Sequence, residues 1–278
     1  MRILVNGAGG QLGSDFIRSV PRNGVEVIGK HKKEWNILDP RETRDCIQEI
    51  RPDICIHCAA YTKVDQSESI PDLAYEINDL GTQIVAEACQ KWKVKMVFFS
   101  TDYVFAGDQA EGYKEDGMRK PINIYGKSKA RGEEKVQEIC DEWLILRTSW
   151  LYAKKGHNFV NTIRNKILQG DHLKVVNDQI GSPTFTEHVV DRTIQLLERG
   201  GKGIFHLSHQ GKCSWYDLAL AIGRAMNKDV EIQPISSEEL SQAAKRPKYS
   251  QLIDTRLQEY QVEPMPPWEE GLEAYFRD

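Results

Sequence analysis

ILVNGAGGQLG, residues 3–13, runs a short apolar segment into a glycine-rich turn and on into a helix. Gly7, Gly10 and Gly13 stand at G-x-x-G-x-x-G spacing. Glycine at such places permits a tight turn, lets backbone N–H groups approach a pyrophosphate and allows the following helix to pack closely on the strand. That helix, opening with Gln11 and Leu12, turns the positive end of its dipole toward the same anion. The stretch reads as the first turn of a βαβ dinucleotide-binding unit. A purely structural turn needs glycines too, so the rest of the chain must carry the same pattern.

It does. Apolar runs at 3–5, 25–28, 54–56, 96–99 and 143–146 alternate with helical patterns near 11–20, 40–50, 71–91 and 123–140. This alternation predicts an α/β fold, a Rossmann-like doubly wound parallel sheet covered on both faces. After residue 150 the pattern loosens. Helices are expected near 157–169, 187–199 and 215–226, short strands near 172–176, 203–208 and 230–235, and a closing segment from 267. Pro234, Pro247, Pro264, Pro266 and Pro267 break this part into short pieces. We read 1–150 as a nucleotide-binding core with returning elements from about 172–208, and 151–278 as mainly a smaller substrate-binding lobe interleaved with it.

The chain of 278 residues, 40% of them hydrophobic, can bury a sizeable core. A net charge of -4 and a pI of about 6.0 leave no basic field for a nucleic acid or an anionic membrane, so any phosphate partner is bound locally. There is no apolar stretch of about 18 residues to span a bilayer and no apolar leader, which points to the cytoplasm. Cys46, Cys55, Cys58, Cys89, Cys140 and Cys213 are too dilute for a disulfide scaffold and read as reduced thiols. Cys55 and Cys58 have C-x-x-C spacing, but on an expected strand positions three apart point to opposite faces. With no second ligand pair, no metal is assigned.

The second strand should end at the residue that meets the adenosine ribose: an acid for the 2′-hydroxyl of NAD, a base for the 2′-phosphate of NADP. Here Gly29-Lys30-His31-Lys32-Lys33 supplies no acid. Lys30 and its neighbours favour NADPH over NADH, although a solvated basic loop has the same composition.

STDYVF, residues 100–105, ends the fourth apolar run with hydroxyls. Shortly after it, Tyr125-Gly126-Lys127-Ser128-Lys129 contains Tyr-x-x-x-Lys, which a helix over 123–140 puts on one face. A neighbouring ammonium favours the phenolate of a tyrosine, whose ordinary pKa is about 10, and so suits it to proton transfer. Hydroxyl, Tyr-Lys helix and phosphate cradle all belong at one edge of a doubly wound sheet. There Ser100 and Thr101 face the ligand, and a hydroxyl can bond a carbonyl oxygen that gains charge during hydride transfer.

Over Cys58–Asp65, Ser100–Phe105, Pro121–Lys129, Arg147–Tyr152, Asp178–Thr184, and Arg246-Pro247 with Ser250, the chain resembles the extended short-chain dehydrogenase/reductases. Among them it is similar, almost end to end, to the dTDP-4-dehydrorhamnose reductase family. The glycines and Tyr-x-x-x-Lys mark only the superfamily; the strings around 100, 147 and 178 are more specific. The resemblance implies an NAD(P)H-dependent oxidoreductase that reduces the C4 ketone of dTDP-4-dehydro-L-rhamnose to dTDP-L-rhamnose, the last step toward that sugar nucleotide. It implies Thr101 as the group bonding the carbonyl, Tyr125 as proton donor, and Lys129 as the residue that tunes Tyr125 and holds the nicotinamide ribose. Ala59, Ala60 and Tyr61 would line the cofactor, with Asn36 and Ile37 near the adenine. Thr62, Val64, Asp102, Tyr103, Val104 and Trp150 would touch the sugar nucleotide, Trp150 having a core aromatic as its other reading.

Two positions depart from the family pattern. Asn36 replaces an acid, and Lys63 replaces a small residue, either to meet a diphosphate or to face solvent. Some relatives bind magnesium through acidic side chains at a dimer contact, and Asp15 and Glu187 stand at matching positions. Two separated carboxylates are weak grounds for a cation that wants about six oxygens, and the chemistry requires none. The same likeness leaves a homodimer open. An epimerase or reductase of a related sugar nucleotide, or a non-catalytic regulatory subunit of similar fold, are the other readings; an intact Thr101, Tyr125 and Lys129 favour the reductase.

Overall fold

The computed structural model describes residues 1–19 and 24–277. Its first half runs β1 (Arg2–Asn6), α1 (Gln11–Ser19), β2 (Glu26–Lys30), α2 (Pro40–Ile50), β3 (Ile54–His57), α3 (Val64–Ser69) and α4 (Pro71–Tyr75). A π-helical turn at Glu76–Leu80 leads into α5 (Gly81–Trp92), β4 (Lys95–Thr101), a 3-10 turn at Asp102–Val104, α6 (Ile124–Ile139) and β5 (Trp143–Thr148). Then come β6 (Leu151–Tyr152), α7 (Phe159–Gln169), β7 (Leu173–Val176), β8 (Ile180–Gly181), β9 (Thr184–Phe185), α8 (Thr186–Glu198) and β10 (Gly203–His206). The chain closes with β11 (Cys213–Ser214), α9 (Trp215–Ala225), β12 (Ile232–Ile235), α10 (Ser237–Leu240), a 3-10 turn at Leu257–Tyr260 and α11 (Trp268–Phe276). Val20, the last residue of the first expected helix, lies outside the described residues. The helix expected over 71–91 is two α-helices joined through the π turn. α3 was not foreseen, because six residues are too few for a helical period to register.

The expected doubly wound sheet is present, with six strands ordered β2-β1-β3-β4-β5-β10 and every neighbouring pair parallel. Winding reverses between β1 and β3, which opens a crevice at their carboxyl ends. Of the elements between 172 and 208, α8 packs on α1 and β10 joins the sheet beside β5, whereas β7 pairs with β12 in a separate two-stranded sheet.

Strand alternation sorts the core. Ile3, Val5, Ile56, Val97, Phe99 and Leu146 pack with Phe16 of α1 and Val189 and Ile194 of α8. Leu4, Cys55, Met96, Phe98 and Ile145 point the other way, toward Val85 of α5 and Val136 of α6. A third cluster, including Tyr152, Ile163, Phe185, Leu218 and Leu272, is built from α7, α9 and α11 with the short strands between them.

Local chemistry fixes the helix starts. Asp39 caps α2 by accepting from the Arg41 N–H at 2.7 Å, and Pro40 supplies a preset φ for the first turn. Asn123 caps α6 by accepting from the Gly126 N–H at 2.8 Å. A Cβ on Gly126 would lie 2.1 Å from the Tyr103 carbonyl oxygen, so only glycine lets α6 lie this close to the end of β4.

A buried ion pair holds α6 to β5. Arg147 Nε and Nη2 donate to the two Glu133 carboxylate oxygens, each at 2.8 Å, and Nη1 donates to the Glu115 carbonyl at 3.0 Å. Both side chains are inaccessible to water; Glu133 has a second partner in Arg119 at 3.2 Å, so it is removal of Glu133 that strands the buried guanidinium. Glu133→Met is expected to lower the unfolding free energy by about 3–5 kcal/mol, read as a lower denaturant midpoint at unchanged slope. A loss below about 1 kcal/mol would contradict this account.

Candidate functional site

The crevice between β1 and β3 contains the glycine cradle. Gly7 has φ +65°, and a Cβ there would meet the Ala59 nitrogen at 2.7 Å, so the turn after β1 touches the segment after β3. Beside it lies a cavity of about 310 Å³ lined by Gly7, Gly10, Lys32, Trp35, Asn36, Ile37, Leu38, Ala59, Ala60 and Tyr61, among others. Its apolar walls, polar amide and single cation suit an adenosine with a phosphate at the ribose. Asn36 accepts from the Leu38 N–H at 3.2 Å through its carbonyl oxygen, leaving its amide donors free for the cavity. Lys30 ends β2 outside this lining; the lysine that lines it is Lys32. Gln11 donates to the His157 carbonyl and accepts from Asn158, and Leu12 is in the core. What these two can offer a phosphate is the backbone N–H of the first turn of α1.

A buried chain of hydrogen bonds joins this crevice to α6. Asn6, at the end of β1, accepts from the Ala59 N–H at 2.9 Å and donates to His57 Nδ1 at 2.6 Å. Thr82 gives its proton to the Asn78 carbonyl, so the His57 proton must sit on Nε2 and point to the Thr82 hydroxyl 3.3 Å away. Asn78, on the π turn, accepts from the Tyr61 N–H at 2.8 Å and donates to the Tyr61 carbonyl at 3.1 Å and to Ser128 at 2.9 Å. Ser128 in turn donates to the Tyr125 carbonyl at 2.8 Å. Asn6, His57, Asn78 and Ser128 were not singled out from the sequence. None of them has a local signal: Asn78 stands between Glu76 and Asp79 in a polar stretch, and its π geometry is invisible to a 3.6-residue period.

Thr101, Tyr125 and Lys129 come together at the end of β4. Burial pushes the Tyr125 phenol up to about 12, and a side-chain hydrogen bond with Thr101 works against that rise. Lys129 Nζ donates to the Phe99 carbonyl at 2.7 Å and lies 4.0 Å from the centre of the Phe98 ring. Burial brings its pKa down to about 7. The influence expected of Lys129 on Tyr125 is therefore weak here: the ammonium is spoken for by a backbone carbonyl and its charge is itself disfavoured, while Thr101 acts on the phenol.

The sugar-side residues divide. Asp102 is buried and Tyr103 meets Tyr125 edge-on at 5.7 Å. Thr62 and Lys63 are exposed, and Val64 begins α3. Val104, by contrast, is fully buried among Phe105, Tyr113, Ala130 and Leu252, so its side chain faces the core and not the cleft. Trp150, in the left-handed region at φ +46°, stacks on Trp215 with centroids 3.4 Å apart. Trp215 then helps line a second cavity of about 340 Å³ with Tyr103, Phe159, Lys166, Lys174, Gln179 and Arg246.

A strap formed by residues 244–253 crosses this region. The Lys245 carbonyl accepts from Asn123, Arg246 makes a two-point ion pair with Asp65 at 2.6 Å, and Ser250 N–H donates to the Ile180 carbonyl at 2.8 Å. Between α1 and α8, Asp15 and Glu187 share the Arg18 guanidinium at 2.8 and 2.9 Å, and Asp15 also accepts from Thr186. A cation already sits between these carboxylates: it is an arginine.

With this geometry in view, the RmlD substrate binding domain family matches the chain over residues 1–278. The chain belongs to that family. Relatives of this RmlD-family chain include the spore coat polysaccharide biosynthesis protein SpsK of Bacillus subtilis, 39% identical over 100% of this chain and 97% of its own length. The dTDP-4-dehydrorhamnose reductase of Streptomyces griseus is 35% identical, over 99% of this chain and 93% of its own. Among solved structures, the dTDP-4-dehydrorhamnose reductase of Bacillus anthracis in complex with NADP has a TM-score of 0.97 at 44% identity, covering 99% of this chain and 98% of that one. The expected family and fold class are thereby met.

Burial lowers His57 from an ordinary pKa of 6.5 to about 3. Between those values the unfolded chain binds a proton that the folded one refuses, so this residue's contribution is complete above about pH 6.5 and lost as pH falls toward 3. Thermal melts are expected to show a shallower acid-side decline in His57→Gln than in the parent protein. Equal slopes would mean that His57 is not held neutral.

Proposed function

We propose that the chain reduces the C4 ketone of dTDP-4-dehydro-L-rhamnose to dTDP-L-rhamnose, using NADPH in preference to NADH. The convergence of Thr101, Tyr125 and Lys129 beside a glycine cradle carries this reading. Bound along the crevice, the reduced nicotinamide nucleotide supplies the hydride. Gly7, Gly10, the first turn of α1, Asn36, Ile37, Ala59, Ala60 and Tyr61 hold it, and Lys32 offers the charge that favours a 2′-phosphate. Lys129 holds the ribose nearest the reaction.

Tyr125 gives its phenolic proton to the ketone oxygen as charge develops there, and Thr101 orients that exchange. A phenol kept protonated by burial is suited to start as a donor. The second cavity takes the nucleotide end of the substrate: Trp215 and Phe159 give apolar surface for a base, and Lys166, Lys174 and Arg246 give positive charge for a diphosphate. Six free thiols suit a reducing compartment, and we place the reaction in the cytoplasm. Its product feeds a surface polysaccharide or glycoprotein.

The test is loss of reduced-nicotinamide absorbance, with NADPH and then NADH, on adding the keto sugar made in situ by its dehydratase and epimerase. Oxidation that depends on both enzymes is expected. Tyr125→Phe should bind NADPH normally and lose roughly 100-fold or more in kcat. Near-normal turnover in that variant would sink the assignment, and retention of tightly bound NAD through purification would favour an epimerase.

A further inference from the structure

Resting on that reading of the reaction, we propose that Asp102 is the acid that returns a proton to Tyr125 through the hydroxyl of Thr101. Asp102 is 2% exposed at the end of β4. One of its carboxyl oxygens lies 2.9 Å from Thr101 Oγ1, and the other has no well-formed hydrogen bond, although the Ser250 hydroxyl faces the carboxyl. A buried carboxylate with a bare oxygen is costly, and a buried carboxylic acid much less so. Burial accordingly pushes this group up to about 7. The groups facing it are the hydroxyls of Thr101 and Ser250, the N–H of Tyr103, and the phenols of Tyr103 and Tyr125. No cation is among them; Arg246 acts on Tyr103 beyond.

Thr101 Oγ1 has one proton and two lone pairs. The Tyr103 N–H occupies one lone pair at 3.2 Å. With Asp102 ionised, the hydroxyl proton is committed to the carboxylate, and Thr101 can only accept from Tyr125. With Asp102 protonated, the carboxyl donates to the second lone pair and the hydroxyl proton turns to the Tyr125 oxygen. Only the second state stabilises a tyrosinate.

The transfer balances. As Tyr125 gives its proton to the substrate oxygen, the Thr101 O–H bond breaks and a new Tyr125 O–H forms; the Asp102 proton passes to Thr101 in the same movement. Each electron pair stays on its oxygen, so nothing in the relay is oxidised or reduced. Tyr125 and Thr101 finish as they began, and Asp102 finishes as a carboxylate that regains a proton from water once the cleft empties.

The experiment follows kcat across neutral pH with NADPH and the keto sugar. The acid form is needed, so kcat is present below the Asp102 ionisation and declines as pH rises through it. Asp102→Asn can accept from Thr101 but has no acid proton to pass on. Its kcat should fall roughly 10–100-fold and lose that high-pH decline, with KM for the sugar nucleotide within about threefold of the parent. Ser250→Ala removes a group that holds the carboxyl down, and should move the decline to higher pH. NMR of the ligand-free protein labelled at aspartate should show one carboxyl titrating near neutrality, absent in Asp102→Asn. A raised KM with kcat and its pH profile unchanged would make Asp102 a sugar contact only and overturn the relay, as would a carboxyl that stays ionised throughout. A parent protein inactive with the keto sugar at every pH fails the reaction assignment instead, and the carboxyl titration then decides the acid by itself.

Discussion

The docking of α6 on the end of β4 is the contact from which the site follows. Lys129 brings an amine into a region without water, and the amine is tolerable only because the Phe99 carbonyl accepts from it at 2.7 Å and the Phe98 ring lies beneath it. That bond fixes the helix along its axis. One face then delivers Tyr125 to Thr101, Ser128 to Asn78 and Glu133 to Arg147, three partners on three different elements. A slip of one helical turn, about 5.4 Å, would break all of them at once. Gly126 makes the approach possible, and Asn123 sets where the helix begins.

The electrostatics of this docking run against the simplest picture of a tyrosine activated by its lysine. Low dielectric disfavours both charged forms, so the phenol rises and the ammonium falls together. Burial thus keeps the phenol protonated while it eases the proton off the amine, and the hydroxyl of Thr101 is the group in touch with the phenol.

Much of this was legible in the sequence because it is local. Short apolar runs mark the five leading strands, helical patterns mark the stretches between them, and i,i+4 spacing puts Tyr125 and Lys129 on one face. What stayed hidden depends on distant partners or on geometry without a period. The π turn that aims Asn78 looks like ordinary helix in the sequence. Val104 reads as one more residue of a ligand-facing string until the aromatic pair Phe105 and Tyr113 closes over it. Lys30 and Lys32 are equivalent as letters, and only the turn after β2 decides which of them lines the cavity. Asn36 lines the same cavity, in a short turn where its carbonyl oxygen accepts from the Leu38 N–H.

The strap over residues 244–253 gives the site a history as well as a shape. Its anchors lie at Asp65, Gly107, Tyr113, Asn123 and Ile180, so contacts separated by between about 70 and 180 positions meet in one small region. The loop-closure entropy of such contacts must be met before they stabilise anything. The wall of the groove is therefore tied to the sheet by contacts of long sequence separation, and so is the sheet's own core, where Leu257, Val262 and Met265 pack with Ile3, Val5 and Val97.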